Sequence, residues 1–488
     1  MDDPVQRVHE QIDRELPRRH SNRVLHSHPS PNLWLERDVP VAELLDQRGA
    51  EPHAGGTIRA KRLLVYVGSP YCLPTNPDRC GFCLFPSEVY KGPEQLVTYL
   101  RYLAREGELV SGWFDDREMA ALYFGGGTTN LYHPRQYGDL MDLVRRVCPR
   151  ATGDVEVTIE GVAQLFTRAK LDAMREAGVT RVSMGVQQLD PDLLKLSGRK
   201  QNVAHVLEMI EYCHTIGLGS SVDLIYSWPG QTVDHMLHDL GTLVEARVPH
   251  LTHYELNVAG RTEFARRRRD ELPSTAETVE MYRVGRDFLT AHGYRQVTAY
   301  DWARVDAGAA GAYVYEELAR TPFQRNGDGT ISGHDIWGWG FASISVCLGW
   351  PSAPGWTFMN CPRVDDYFRC LDERRIPVGR GFRFAEADLR LYVLFQMLHG
   401  LGVDRSVYGQ LFGIDPLDEH ADIWRAVVER EWVAVEPGRI ALVGDGVFYT
   451  PLIQGLLAVG RLDAMRRARL GRRVSRSAEL AMALEVTE

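Results

Sequence analysis

Cys72, Cys80 and Cys83 stand in one short stretch with the spacing C-x7-C-x2-C. Three thiolates this close along a loop can hold three corners of a [4Fe–4S] cube, because each iron takes one thiolate, and the fourth iron is then left open. An open iron can coordinate something that is not protein, as a catalytic cluster needs. Spacing alone leaves two other readings, a zinc site, which asks for four N or S ligands, and three unrelated thiols. The apolar, β-branched run Leu63 to Val67 precedes the loop and ends in Gly68 and Pro70, so a strand delivers the thiols.

The elements that must position this loop follow from hydrophobic periodicity. Apolar, β-branched runs recur near Val65, Tyr123, Val157, Val182, Leu224 and Tyr254. The intervals carry helical spacing, such as Leu171, Met174 and Ala177 before Gly178, and Val206, Ile210 and Cys213 before Gly217, with glycine where helices end. Strand, helix and strand at this period predict βαβ units and a parallel sheet. Six units suit a partial (β/α)6 barrel, in which chemistry gathers at the carboxyl ends of strands. Gly125, Gly126 and Gly127 follow ALYF, Glu160 follows VEVTI, Gln187 follows RVSMGV, and Asp223 lies in SSVDLIY. Glycines let a backbone approach a ligand closely, carboxylates accept hydrogen bonds from hydroxyls or an ammonium, and a guanidinium such as Arg199 clamps a carboxylate.

The motifs LLVYVGSPYC, CGFC, LYFGGGTTN, VEVTIEG, RVSMGVQQLD, LSGRKQ and VDLIYSWPGQT occur in this order between residues 63 and 232. In order and rough spacing the chain resembles the oxygen-independent coproporphyrinogen III oxidase-like branch of the radical S-adenosylmethionine (SAM) enzymes, from about residue 60 to about residue 460. The resemblance implies a [4Fe–4S] cluster on Cys72, Cys80 and Cys83, reductive cleavage of SAM to a 5′-deoxyadenosyl radical, and a flavodoxin or ferredoxin-type electron donor. It places Gly125, Gly126, Gly127 and Thr128 against the SAM amino group and assigns SAM's methionine part and ribose to Glu160, Gln187, Arg199 and Asp223. It sets Tyr66 near the sulfonium and gives Phe82 the shielding of the cluster. A second SAM in some members aligns loosely with Phe323, Gln324, Ala342 and Ile344.

Departures from the family pattern narrow the reading. The family's first two cysteines are three residues apart, whereas LPTNPDR supplies seven here, with Pro74 and Pro77 favouring a turn. Thr129 replaces a family proline, with little functional effect expected. Leu84 and Phe85 follow Cys83 where the porphyrinogen oxidases have a further cysteine, which argues against coproporphyrinogen as substrate. HDIWGW at 334–339 departs from the heme-ligand box of a related branch, although His334 could still ligate heme. The leader NRVLHSHPSPNLW, with His26 and His28 as candidate active-site residues, resembles the methyltransferase-related branch. Methyl transfer or cyclopropanation of a small-molecule intermediate in natural product biosynthesis is therefore expected, with other radical chemistry (sulfur insertion, epimerisation, decarboxylation) or a non-enzymatic heme or iron–sulfur carrier as rivals.

The chain has 488 residues, 44% of them hydrophobic, a net charge of −9 and eight cysteines. That suffices for more than one core. Sparse cysteines and the lack of a long apolar run or export signal predict a soluble, cytoplasmic protein, and the acidic balance argues against nucleic acid as partner. The basic runs Arg266 to Arg269 and Arg461 to Arg476 read as solvated helix faces; Cys148, Cys213, Cys347, Cys361 and Cys370 read as buried structural residues. The expected divisions are an extension at 1–60, the partial barrel at 61–300, a capping segment at 301–375, a winged-helix-type α+β domain at 376–460, and a basic helical tail at 461–488.

Overall fold

The computed structural model describes residues 3–18, 28–46, 58–112, 117–148, 155–258 and 262–485. Each of the six apolar runs becomes a strand: β1 (Ile58–Ser69), β2 (Met119–Gly126), β3 (Glu156–Val162), β4 (Arg181–Gln187), β5 (Gly219–Tyr226) and β6 (His250–Glu255). They lie side by side in chain order and all pair in parallel, with helices between them, the α/β arrangement expected. Among those helices, Arg168–Ala177 starts on the Thr167 hydroxyl and ends at Gly178 (φ 101°), and Val203–Ile216 starts on Asn202 and ends at Gly217 (φ 68°), so the punctuation seen in the sequence is used.

The two faces of this sheet differ in kind. Val65, Val67, Leu122, Phe124, Val157, Val182 and Val222 are buried in the main core beneath the helices, each fully buried side chain contributing about 1.5–3 kcal/mol. The alternate positions turn to the other face and carry Tyr66, Tyr123, Glu160, Ser183, Asp223 and Thr252, as a period of two requires. Buried on both faces, the strands look continuously apolar only where the helices cover them.

The capping segment does two things. Part of it closes the amino edge of the sheet. The Arg181 guanidinium lies 4.2 Å from the centre of the Tyr313 ring and donates to Ala312 O at 2.6 Å. The Glu156 carboxylate accepts from the N–H groups of Val314 (2.9 Å) and Tyr315 (3.1 Å), and the His250 ring bonds Gly311 O. Glu156, Arg181 and His250 each open or nearly open their strands, so Tyr313 and Tyr315 form a floor. The rest extends the sheet: β8 (Ile331–Gly340) pairs in parallel with β1, β9 (Ile344–Trp350) and β10 (Ala353–Asn360) continue it antiparallel, and β11 (Val378–Arg383), past the expected boundary at 375, adds to β10. At the far side β7 (Asp301–Arg304) adds antiparallel to β6.

Beyond β11, helix, strand, three helices and a hairpin follow (Glu386–His399, Gly402–Asp404, Arg405–Phe412, Pro416–Glu419, Ala421–Glu429, Val433–Glu436, Arg439–Leu442), with a three-stranded sheet. A helix Thr450–Glu485 closes the chain and packs back, Gln454 donating to Phe395 O at 3.0 Å. No helix among the described residues is long and apolar enough to cross a membrane.

Candidate functional site

The cysteine loop leaves the carboxyl end of β1. Tyr71–Cys72 pairs with Glu88–Val89, which fixes the first thiol. The seven-residue segment between Cys72 and Cys80 is ordered by Thr75, whose hydroxyl donates to Pro77 O and accepts from the Cys80 N–H, both at 2.8 Å. Arg79 and Cys80 take positive φ (51° and 56°) and Cys83 N–H returns to Arg79 O at 3.1 Å, so the loop curls back. Gly198 permits this: a Cβ there would stand 2.3 Å from Asn76 O. The longer spacing is thus absorbed by a braced turn.

Several groups bind the sulfurs. Arg199 donates through Nε to Cys80 Sγ at 3.3 Å and through Nη1 to Gly185 O at 2.9 Å. Burial pushes the Cys72 thiol up, opposed by hydroxyl hydrogen bonds from Thr128 and Ser87. Burial likewise pushes Cys83 up to about 11, and the neighbouring Cys72 and Cys80 add to it while Arg199 opposes it. Phe82 packs edge-on to Trp228 (5.1 Å between rings) and beside Phe264, giving the loop an apolar wall. Among the described residues no three His, Cys, Asp or Glu side chains are gathered tightly enough for a single metal ion. A cube takes one thiolate on each of three corner irons, and hydrogen bonds to the sulfurs and a dry aromatic shell suit such a cluster.

The triglycine segment lies against this loop. Gly127 N–H donates to Ser69 O at 2.8 Å and Thr128 N–H to Tyr71 O at 2.7 Å. A Cβ on Gly127 would stand 2.5 Å from Tyr71 O, and one on Gly125 within 2.8 Å of both Tyr66 Oη and Glu160 Oε2. Glycine is needed here first for backbone packed on backbone and for the approach of two polar side chains. The Gly126 N–H reaches the Glu160 carboxylate. Thr129, in place of the family's proline, donates to Glu160 O, and Asn130 exchanges bonds with Val162, tying β2 to β3.

On the inner face, Glu160 accepts from Tyr123 Oη at 3.1 Å and Asp223 from Ser183 Oγ at 3.3 Å. Burial and then repulsion from Asp223 push Glu160 up to about 8, against Tyr123, Arg199 and Gly126 N–H. Burial and then Asp301 push Asp223 up to about 7, against Thr252 and Ser183. Tyr66 stacks on Tyr123 at 5.7 Å, and Tyr123 meets Tyr315 at 5.2 Å. The result is a chamber with aromatic walls, a tyrosine floor and two carboxyl groups poised near neutrality, able to take a cation or polarised hydroxyls.

Tyr66, Phe82, Gly125, Gly126, Gly127, Thr128, Glu160, Arg199 and Asp223 are brought around one loop and one face. Gln187 ends β4 at φ 72° with its amide against Gly185, beside Arg199. Ala342 and Ile344 follow Gly340, whose register partner is Gly68, and so stand beside the cysteine loop. Gln324 does not join them. It pairs with Ser332, and Ser332 pairs with Arg59 at the start of β1, about 30 Å along the strand from Ser69 at 3.3 Å per residue; Phe323 is core there, against Trp350. His334 is buried at the same remote end, its Nδ1 on Thr321 O. His28 is also removed from the site: it is buried between the leader and the carboxyl-terminal helices, 3.2 Å from Asp388. His26 lies outside the described residues. Tyr123, Ser183, Thr252, Asp301, Tyr313 and Tyr315 were not singled out from the sequence, although polar residues at alternate positions of otherwise apolar strands mark the inner face.

Residues 76–243 match the radical SAM superfamily. The chain is 27% identical over 359 residues to the oxygen-independent coproporphyrinogen III oxidase of Helicobacter pylori, covering 72% of this chain and 76% of that one. The Pseudomonas aeruginosa protein of that name is 29% identical over 374 residues, 74% and 77% of the two chains. The heme chaperone HemW of Escherichia coli is 28% identical over 248 residues, 51% and 64%. Among solved structures, coproporphyrinogen III oxidase (HemN) from Escherichia coli, a radical SAM enzyme, superposes with a TM-score of 0.73 at 23% identity over 88% of this chain and 96% of that one, the same fold.

Proposed function

We infer that this chain, which carries a radical SAM domain and is related to the oxygen-independent coproporphyrinogen III oxidases and the HemW heme chaperones, is an enzyme that cleaves SAM reductively and acts on a small-molecule substrate. The cofactors of its superfamily are a [4Fe–4S] cluster and SAM. The observation that carries the reading is the joining of the three-thiol loop to the carboxylate chamber through Arg199, which touches Cys80 Sγ, and through the triglycine segment, packed between Tyr71 and Glu160.

In this reading Cys72, Cys80 and Cys83 hold the cluster, which when bound supplies the electron that splits SAM. Glu160, Gln187, Arg199 and Asp223 orient SAM's methionine part and ribose, and Tyr66 packs beside its sulfonium. The Tyr313 and Tyr315 floor keeps water from entering behind the substrate, and Phe82, Trp228 and Phe264 keep it from the thiols. In this reading a second SAM would lie against Ala342 and Ile344, beside the end of β1, and methyl transfer or cyclopropanation is the outcome; Gln324 is withdrawn from that role. The remote, buried place of His334 gives no support to a heme ligand there, whereas the likeness to the heme chaperones keeps a carrier as the second reading.

The test is anaerobic reconstitution with iron and sulfide, then dithionite and SAM, with 5′-deoxyadenosine and S-adenosylhomocysteine quantified beside a Cys72→Ala/Cys80→Ala/Cys83→Ala variant. Deoxyadenosine that depends on the three cysteines is expected, with S-adenosylhomocysteine marking methyl transfer. A fully loaded protein that yields none and binds heme stoichiometrically is the carrier.

A further inference from the structure

Two buried cysteines outside the site come together: Cys361 Sγ and Cys370 Sγ are 4.0 Å apart, each 7% exposed. Cys361 follows the last residue of β10, and Cys370 is in the last turn of the helix Val364–Asp372. A disulfide needs its sulfurs at about 2.05 Å, so the pair is one modest side-chain and helix adjustment from bonding. Both thiols are free.

The helix braces the cysteine loop, and the strand braces the elements beside it. On the helix, Val364 N–H donates to Glu88 Oε1 at 3.1 Å, and Glu88 belongs to the strand that pairs with Tyr71–Cys72. Tyr367 Oη of the same helix donates to Glu106 Oε2 at 2.6 Å. On the strand, Asn360 donates to Glu106 Oε1 at 2.8 Å, and Cys361 O accepts from Ala342 N–H at 3.3 Å. Glu106 also accepts from Gly340 N–H at 3.0 Å, beside the end of β1. Drawing the sulfurs together moves the helix against Glu88 and Glu106.

We propose that Cys361 and Cys370 are a reversible redox modification site, closed to a disulfide by low-molecular-weight disulfides, and that closure loosens the cysteine loop through Val364 and Glu88. Cys370 is the entry point, because it lies in the last turn of its helix, next to the exposed run Asp372 to Arg375, whereas Cys361 follows a strand inside the sheet. The Cys370 thiolate attacks one sulfur of the reagent and expels one reagent thiolate. Cys361 gives up its proton to solvent and attacks Cys370 Sγ in the mixed disulfide, expelling the second. Two protein thiols are oxidised by two electrons and the reagent disulfide is reduced to two thiols.

The experiment takes the cluster-loaded protein under anaerobic buffers of oxidised and reduced glutathione, followed by alkylation and peptide mapping. The expected product is the Cys361–Cys370 disulfide; Cys361→Ser stops at a Cys370–glutathione adduct and Cys370→Ser takes up none. In the oxidised parent, cluster absorbance is lost to a chelator about ten-fold faster, as the loss of one hydrogen bond predicts, dithiothreitol restores it, and the Cys361→Ser/Cys370→Ser variant shows no change. Amide exchange of residues 70–90 rises on oxidation in loaded and unloaded protein alike, so a failure of the cluster assignment is told apart from a failure of the switch. Two thiols that stay alkylatable throughout, or a disulfide that leaves exchange at 70–90 unchanged, overturns the proposal.

Discussion

Glu160→Gln separates charge from shape in the chamber. Burial and Asp223 hold the Glu160 carboxyl at about 8, so at neutral pH the unliganded site keeps it mostly protonated. A ligand that brings positive charge needs the ionised form, and its binding must expel the proton. Below the folded value, affinity for SAM therefore rises with pH, by up to about ten-fold per pH unit. Between pH 6 and 7.5 that is up to about 30-fold. Above this window the amino group of SAM itself begins to lose its proton, near 7.7–8.0 for an α-amine, which sets the upper limit. The Gln variant keeps the hydrogen bond to Tyr123 but cannot ionise. Loss of a charged hydrogen bond, about 1.5–3 kcal/mol, weakens SAM binding by about 10- to 150-fold at pH 7.5 and flattens the pH profile. Asp223, at about 7, titrates in the same window, so Asp223→Asn is the second arm and the double variant removes the remaining slope. The measurement is anaerobic calorimetry of SAM binding to reconstituted protein at constant ionic strength, with Arg199, which faces Glu160, left intact. An equal slope in parent and Glu160→Gln refutes the assignment.

Arg199→Lys loses the fork that spans Cys80 Sγ and Gly185 O, and cluster loss to a chelator is expected to quicken about ten-fold, since a lysine cannot make both bonds at once; unchanged loss would deny Arg199 a place at the thiols. Gly127→Ala drives a Cβ to 2.5 Å from Tyr71 O, and overpacking of about 1–3 kcal/mol should lower the melting temperature and the iron content together. His28→Ala should destabilise by about 1–3 kcal/mol at pH 7 without altering deoxyadenosine yield, because His28 meets Asp388 and not the chamber. Burial raises the Asp388 carboxyl, but His28 and Arg461 hold it down at about 2; its stabilisation is present above the ordinary carboxylate value of 3.8 and is lost as pH falls through 2. A denaturation series from pH 7 to pH 2 reads it.

Much of the site was legible because its motifs act locally. A β-branched run followed by thiols, three glycines after a strand and a carboxylate at a strand end each say what the backbone does next. Glu160 and Asp223 could be placed that way, and so could Gly178 and Gly217. Gln324 and His28 could not. Gln324 lies in a hairpin whose position depends on which strand Ile331–Gly340 joins, and that strand joins β1 in parallel from more than 260 residues away. His28 meets Asp388 across 360 residues. Such pairings are set by tertiary packing, on which local composition is silent.

The inner-face tyrosines show how a sheet can be both core and chamber. Tyr66, Tyr123, Tyr313 and Tyr315 are all deeply placed, yet they sit in a small cluster apart from the main core. Apolar residues there would close the interior, and charged ones would flood it with water. Phenol rings stack for dispersion and retain a hydroxyl that can bond a carboxyl, as Tyr123 does with Glu160. The floor adds a second constraint. Glu156, Arg181 and His250 hold it by its backbone groups, Arg181 and His250 also pack on the Tyr313 ring, and Tyr315 meets Tyr123 on the inner face. The floor thus closes the amino edge of the inner face, and the three thiols stand at the opposite, carboxyl edge.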